Sequence, residues 1–175
     1  MLENEIKSVV RDVPNFPKEG ILFKDISTIM MNPELSNKIL DQLFDLYSNK
    51  GITKIAGIES RGFLFAYPLA MRMNVPFVLI RKEGKLPYDK ISFSYDLEYG
   101  SSVVEMHSDA ITAGDKVLIH DDLLATGGSA SAAAELILKA GGEVTAFNFL
   151  IGLNFLNGNE KLSKYCSDIV NLVNY

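Results

Sequence analysis

The sequence predicts an α/β fold, a parallel sheet flanked by helices. Three observations carry that reading. Short apolar runs alternate with amphipathic or alanine-rich stretches from Lys54 onward, the pattern of successive βαβ units. Runs such as Val117-Leu118-Ile119 lack polar alternation, as expected of strands buried on both faces. A chain of 175 residues, 47% of them hydrophobic, can bury one sizeable core. No repeat, low-complexity segment or linker marks a boundary, so residues 1–175 are read as a single domain.

Taken in order, Leu2, Ile6, Val9 and Val10 fall at helical spacing. A second helix carries Leu35, Ile39, Leu43, Leu46 and Tyr47; Pro33-Glu34 suits its first turn and Gly51 stops it. Residues 54–58 read as a strand, 63–73 as a helix and 75–81 as a strand. Residues 117–119 form a strand that leads, after a break, to a helix over 130–140, and 144–151 read as a further strand. Residues 82–100, with Gly84, Pro87 and Gly100 and no clear period, break the alternation. A segment of that length in a compact domain reads as a lid rather than a passive connection, and 91–95 could pair with 101–105 as an antiparallel arm.

The most informative stretch is Asp121-Asp122-Leu123-Leu124-Ala125-Thr126-Gly127-Gly128-Ser129-Ala130, which places two carboxylates between a buried strand and a small-residue turn opening a helix. Thr126-Gly127-Gly128-Ser129 lets the backbone turn without Cβ crowding and aims successive amides, with the positive end of the helix dipole, at one point. That nest suits a phosphate. The carboxylates before it would repel the phosphate unless they face neutral hydroxyls or a metal ion, and vicinal ribose hydroxyls fit because an ionised carboxylate only accepts hydrogen bonds. A phosphorylated sugar satisfies both demands. A P-loop is excluded, since no lysine follows Gly127-Gly128, and so is a dinucleotide fingerprint, whose acid comes about 20 residues after the glycines rather than before them.

The formal net charge of −5 argues against nucleic-acid binding, which calls for a basic patch. Anionic ligands must then be held by local groups, for which Arg61, Arg81, Lys82 and Lys85 are candidates. No basic-then-apolar leader pattern opens the chain and no run nears the roughly 18 apolar residues of a membrane span, so no membrane partner and a cytoplasmic location are expected. The lone Cys166 reads as a packing residue.

The acidic-glycine stretch resembles the phosphoribosyl pyrophosphate (PRPP) signature of the type I phosphoribosyltransferases. Other segments, from Asn15 through Ser27, Gly57-Ile58-Glu59-Ser60-Arg61-Gly62-Phe63, Arg81-Lys82-Glu83-Gly84-Lys85-Leu86-Pro87 and Tyr95-Asp96-Leu97-Glu98-Tyr99-Gly100, resemble in the same order the members of that family that act on adenine. The resemblance implies the type I phosphoribosyltransferase fold with a flap at about 82–100. It also implies purine salvage: transfer of the phosphoribosyl group from PRPP to N9 of adenine, giving AMP and pyrophosphate. Asp121 and Asp122 would hold the ribose; Ala125, Thr126, Gly127, Gly128 and Ser129 the 5′-phosphate; Ser60, Arg61, Lys82 and Lys85 the pyrophosphate. Mg²⁺ would arrive with the pyrophosphate and need no protein cage, with Asp121 reaching it through water. A homodimer and a non-proline cis peptide in the Glu59-Ser60-Arg61-Gly62 loop are implied as well.

For the base, the resemblance places Leu22, Phe23 and Lys24 against adenine, with Phe23 stacked on its face; Phe23 could equally be a core residue beside Ile21 and Ile26. Lys24 stands where the family commonly has arginine, which leaves it a backbone role. Glu98 is the candidate for proton traffic at the purine imidazole ring, and Arg61 the charged donor to the leaving group, its plain alternative being an ion pair with Glu59. His107 and His120 have weaker claims than Glu98, and His120 should point away from Asp121 by strand alternation, into packing or a structural hydrogen bond. The competing functions are a 6-oxopurine enzyme and a purine sensor without turnover.

Overall fold

The computed structural model describes residues 1–97 and 100–175. The first helix, α1 (Leu2–Val9), buries Ile6. It is followed by a two-stranded antiparallel ribbon, β1 (Arg11–Pro14) and β2 (Leu22–Asp25), in which Val13 pairs with Phe23. A short α2 (Ser27–Met30) leads to α3 (Pro33–Tyr47), where Asn32 caps the first turn by accepting from the Leu35 amide at 3.1 Å and Pro33 occupies the opening position. Leu35, Ile39, Leu43 and Tyr47 form its buried stripe, as their spacing predicts.

The alternation then runs β3 (Lys54–Ile58), α4 (Phe63–Met73), β4 (Phe77–Lys82), β5 (Lys90–Leu97), β6 (Gly100–His107), β7 (Lys116–Leu124), α5 (Gly128–Lys139), β8 (Glu143–Gly152), a 3₁₀ turn at Asn154–Leu156, α6 (Gly158–Leu162) and β9 (Ile169–Asn174). The sheet has seven strands in the order β5-β6-β4-β3-β7-β8-β9. Strands β4, β3, β7, β8 and β9 are mutually parallel; β6 joins the β4 edge antiparallel, and β5 pairs antiparallel with β6.

Strand alternation sends successive residues to two cores. Ala56, Ile58, Val117 and Ile119 face α5, whose Ala133, Leu136 and Ile137 cover them; Ile55 and Leu118 face α1, α3 and α4 through Ile6, Leu43 and Phe65. Small side chains on α5 let that helix lie close to the sheet.

Several boundaries differ from the sequence expectation for local reasons. The second parallel strand begins at Phe77 rather than 75, because α4 ends in a left-handed Asn74 (φ 55°) and the Val75 amide still bonds back to the Ala70 carbonyl. The strand expected over 117–119 runs on to Leu124, since β8 continues beside it and pairs Asp121 with Phe149 and Leu123 with Ile151. The candidate antiparallel arm forms, with Ile91 opposite Met106 and Tyr95 opposite Ser102. The β1–β2 ribbon, α6 and β9 were not anticipated.

The order β4-β3-β7 matters for function. From β3 the chain steps outward to β4, then returns to place β7 on the other side of β3 and proceeds to β8. Ligands of open parallel sheets bind beyond the carboxyl ends of the strands at such a reversal. Here those ends carry Glu59 to Gly62 and Asp121-Asp122, brought side by side by the pairing of Gly57 with His120.

Candidate functional site

Beyond β3 the chain turns through Glu59-Ser60-Arg61-Gly62, and the Glu59–Ser60 peptide is cis, as the resemblance implies. Gly62 opens α4 in a crowded place. A Cβ there would sit 2.6 Å from the Ile58 carbonyl oxygen, 2.9 Å from Asp121 Oδ1 and 3.0 Å from the His120 carbonyl oxygen. Glycine is what lets this loop lie against the acidic end of β7.

The ion pairs divide cleanly. Glu59 does not pair with Arg61: its carboxylate accepts from Arg81 Nε at 3.2 Å and Nη2 at 3.1 Å, and from the Lys82 amide at 3.0 Å. These contacts, the Arg81 bond foremost, hold Glu59 below the ordinary carboxylate range. Arg61 instead places Nε 2.9 Å from Asp122 Oδ2, whose side chain is only 6% exposed, and lays its guanidinium over the Phe23 ring at 4.9 Å.

Asp121 and Asp122 are the last polar residues of β7 rather than the start of a loop, so they leave the strand on opposite faces. Asp121 Oδ1 accepts from the Asp122 amide at 2.9 Å. Burial pushes both carboxyls above their ordinary value, and the charge of Asp122 pushes Asp121 well above it. His120 points away from Asp121, as expected, and its Nδ1 sits 2.7 Å from Asn148 Oδ1 on β8. Burial lowers this imidazole to about 4, which leaves it neutral and structural at pH 7.

The turn after β7 forms the predicted nest. Gly127 adopts a left-handed conformation (φ 77°), and no side chain caps the first turn of α5. Those uncapped amides border a cavity of about 100 Å³ lined by Asp121 and by residues 123–130. A second cavity, about 440 Å³, is lined by Glu59, Ser60, Arg61, Lys82, Lys85, Asp121, Asp122 and Leu123. Asp121 is common to both. The groups expected at the two anionic ends of the ligand are thus sorted into two adjoining hollows. Lys82 and Lys85 both line the larger cavity, where the charge of Lys85 also acts on Glu59.

At the ribbon, Phe23 is half-buried, Leu22 exposed and Asp25 half-buried; Val13, Phe16, Phe23 and Asp25 line a hollow of about 280 Å³. Phe23 is therefore not a core residue. Lys24 faces the other way, its Nζ 2.6 Å from Asp12 and 3.9 Å from the centre of the Tyr175 ring. Its side chain is taken out of any base pocket by the alternation of β2, and only its backbone remains available. Glu98 lies outside the described residues.

A model of the phosphoribosyl transferase domain family matches residues 25–171. The chain is 46% identical to an adenine phosphoribosyltransferase of Cytophaga hutchinsonii over 175 residues, covering 100% of this chain and 97% of that one. It is 51% identical to one of Ureaplasma parvum over 166 residues, 95% and 96% of the two chains. The chain belongs to the phosphoribosyltransferase family, among its adenine phosphoribosyltransferases.

Solved members of the family superpose closely. The adenine phosphoribosyltransferase of Thermoanaerobacter pseudethanolicus gives a TM-score of 0.95 at 44% identity over 100% of both chains. That of Saccharomyces cerevisiae, solved with adenine and an imino-altritol bisphosphate, gives 0.89 at 42% identity over 98% of both chains. Within this family fold, Ser60, Arg61, Lys82, Lys85, Asp121, Asp122 and residues 125–129, all singled out from the sequence, lie among the residues lining the two adjoining cavities, beside Leu123, Leu124, Ala130 and Phe149, to which sequence reasoning assigned no role. It likewise missed Val13, Phe16 and Asp25 gathering beside Phe23, and Glu59 and Glu105 as anchors. Glu105, 3% exposed, takes the Gly84 amide and Lys90 Nζ on Oε2, each at 3.0 Å. A lone glutamate between Val104 and Met106 in a strand that is otherwise apolar there was the available signal.

Proposed function

We propose that this enzyme transfers the 5-phosphoribosyl group of PRPP to N9 of adenine, releasing pyrophosphate and forming AMP for purine salvage. The observation that carries the reading is the pair of adjoining cavities that share Asp121. PRPP has the matching order of parts: a phosphate, a hydroxylated ring and a pyrophosphate.

In this reading the amides of Ala125, Thr126, Gly127 and Gly128, with Ser129, hold the 5′-phosphate at the uncapped start of α5. Asp121 and Asp122 accept from the ribose hydroxyls. Ser60, Arg61, Lys82 and Lys85 surround the pyrophosphate, where positive charge counts most as the C1′–O bond lengthens and the leaving group gains charge. Phe23 forms the base site with the backbones of Leu22 and Lys24, since the Leu22 side chain leaves β2 on the same face as that of Lys24. As N9 bonds to C1′ of the oxocarbenium-like centre, the proton of adenine must leave, and Glu98 is its proposed acceptor.

Mg²⁺ belongs to the same proposal. Among the described residues no three carboxylate, histidine or cysteine side chains gather to cage a metal. The carboxylate donors beside the larger cavity nonetheless suit a hard cation that keeps several waters, and Asp121 would meet it through one of them. When bound with pyrophosphate the ion supplies neutralisation of its charge.

The single domain, its β5–β6 arm acting as the flap, excludes water that would otherwise capture the ribosyl cation. A homodimer is supported by the exposed stripe Leu64, Tyr67 and Met71 on α4, an apolar face that leaves these side chains open among the described residues. No described helix is long and apolar enough to cross a membrane. A cytoplasmic location is carried as part of the proposal.

The deciding assay follows Mg²⁺- and PRPP-dependent consumption of adenine beside hypoxanthine, guanine and xanthine, with AMP and pyrophosphate quantified. Turnover of adenine alone is expected. Consumption of a 6-oxopurine would overturn the base assignment, and binding of PRPP without turnover would make the protein a sensor.

A further inference from the structure

Tyr95, on β5, reaches across to the phosphate loop. Its hydroxyl lies 3.1 Å from Ser129 Oγ, and its ring lies over Gly128, where a Cβ would come within 3.4 Å of Cδ2 and 3.5 Å of Cε2. The Tyr95 ring thus packs directly against the first residue of α5. Ser129 borders the smaller cavity, whereas Tyr95 does not. The serine hydroxyl therefore has the cavity on one side and the tyrosine on another.

A serine hydroxyl has one proton to donate and two lone pairs to accept with. If Ser129 gives its proton to Tyr95, it turns a lone pair toward the cavity and repels an anion. If Tyr95 donates instead, the Ser129 proton is free to point inward. An anion in the cavity selects the second arrangement, and the two bonds strengthen each other because each polarises the shared oxygen.

We propose that Tyr95 is a positioning residue for the phosphate site: its hydroxyl donates to Ser129 Oγ, directs the Ser129 proton at the bound phosphate, and so ties the β5–β6 arm to the sugar's phosphate end. The inference rests on the proposed phosphate site at the start of α5. It makes occupancy of that site and placement of the arm mutually reinforcing, without any contact between Tyr95 and the ligand.

Ribose 5-phosphate and pyrophosphate, titrated separately into the whole protein by calorimetry, test it. Tyr95→Phe keeps the ring on Gly128 and deletes only the hydroxyl. It is expected to raise the ribose 5-phosphate Kd about three- to tenfold while leaving that of pyrophosphate unchanged. Ser129→Ala should raise the same constant, and the double variant should bind no more weakly than Ser129→Ala alone, because the tyrosine acts through the serine. Tyr165→Phe is the control: it removes another tyrosine hydroxyl bonded to α5, at Ser131 (2.8 Å), away from the cavity. A wild-type Kd in Tyr95→Phe with a raised one in Ser129→Ala overturns this inference and spares the phosphate site. Independent, multiplying effects, or equal weakening of both ligands, overturn it as well. If Ser129→Ala and Tyr95→Phe both bind ribose 5-phosphate normally, the phosphate-site reading falls and takes the inference with it.

Discussion

Arg61 Nε sits 2.9 Å from Asp122 Oδ2, joining the loop beyond β3 to the acidic end of β7. Arg61 is thereby held between a nearly buried carboxylate and the face of Phe23, with its position set before any ligand arrives. Removing it strands Asp122 in a site that already disfavours its charge. Arg61→Ala is expected to lower stability by about 1–3 kcal/mol and to weaken pyrophosphate binding at least tenfold. In Arg61→Ala/Asp122→Asn most of the stability loss should return but not the binding. Urea unfolding and calorimetry on the three variants separate the two effects, and full recovery of both would deny Arg61 a ligand role.

Gly62→Ala should be damaging although it adds only a methyl group. The new Cβ would press on the Ile58 and His120 carbonyls, which are fixed in paired strands, and on Asp121 Oδ1. Overpacking of this kind costs about 1–3 kcal/mol, and relief by movement would separate the loop from β7. A fall in kcat/KM of more than tenfold, with a lower midpoint of thermal unfolding, is the expected result.

Phe23→Ala is expected to raise the KM for adenine roughly ten- to hundredfold, since base stacking on an aromatic ring is worth about 1–3 kcal/mol. The KM for PRPP should change less, the loss there being confined to the Arg61 contact. An unaltered adenine KM would remove Phe23 from the base site.

Because burial and the Asp122 charge raise Asp121, its ionised form appears only above the ordinary carboxylate range. In the proposed site the ribose hydroxyls donate to that ionised acceptor. Acidification should therefore raise the KM for PRPP at a pH higher than a normal aspartate would dictate. In Asp122→Asn the inflection should move to lower pH. The stability sign is opposite: an aspartate raised in the folded state opposes folding once ionised, so protonating it on acidification stabilises the unliganded protein.

Asp115 behaves in the contrary way. Burial alone would raise it, but Lys54 Nζ at 2.9 Å, the Thr112 amide at 2.8 Å and the Thr112 and Thr53 hydroxyls at 2.9 and 3.0 Å outweigh burial and hold it below its ordinary value. Its contribution is complete above the unfolded pKa near 4 and is lost as pH falls through the depressed folded value. Asp115→Ala should cost about 2–3 kcal/mol at pH 7 and flatten the acid limb of the stability profile, read from urea midpoints between pH 3 and 7.

Legibility in the sequence followed the range of the forces involved. The helix over Phe63–Met73 and the parallel strands were readable because apolar spacing and glycine punctuation act locally. So was the nest at Gly127-Gly128, where Gly127 takes a left-handed conformation that favours glycine. What escaped depends on partners distant in sequence: β7 extends past Ile119 because β8 lies beside it, and Glu59 serves Arg81 because β3 and β4 are neighbours. Lys24 turns from the base site because pairing with β1 fixes which face of β2 it occupies.

The strand order assigns unequal mobility to the two halves of the site. Strands β3 and β7 lie mid-sheet with a strand paired on each side, whereas β5 is an edge whose backbone pairs with β6 alone. Amides from Ala56 to Ile58 and from Ile119 to Asp121 should exchange with solvent deuterium only through opening of the whole sheet, and those of β5 through local fraying. If the arm opens as the proposed flap, the carboxylates and the loop beside them would keep their geometry while it does so, and substrate entry and product escape would not draw on the free energy that holds the enzyme folded.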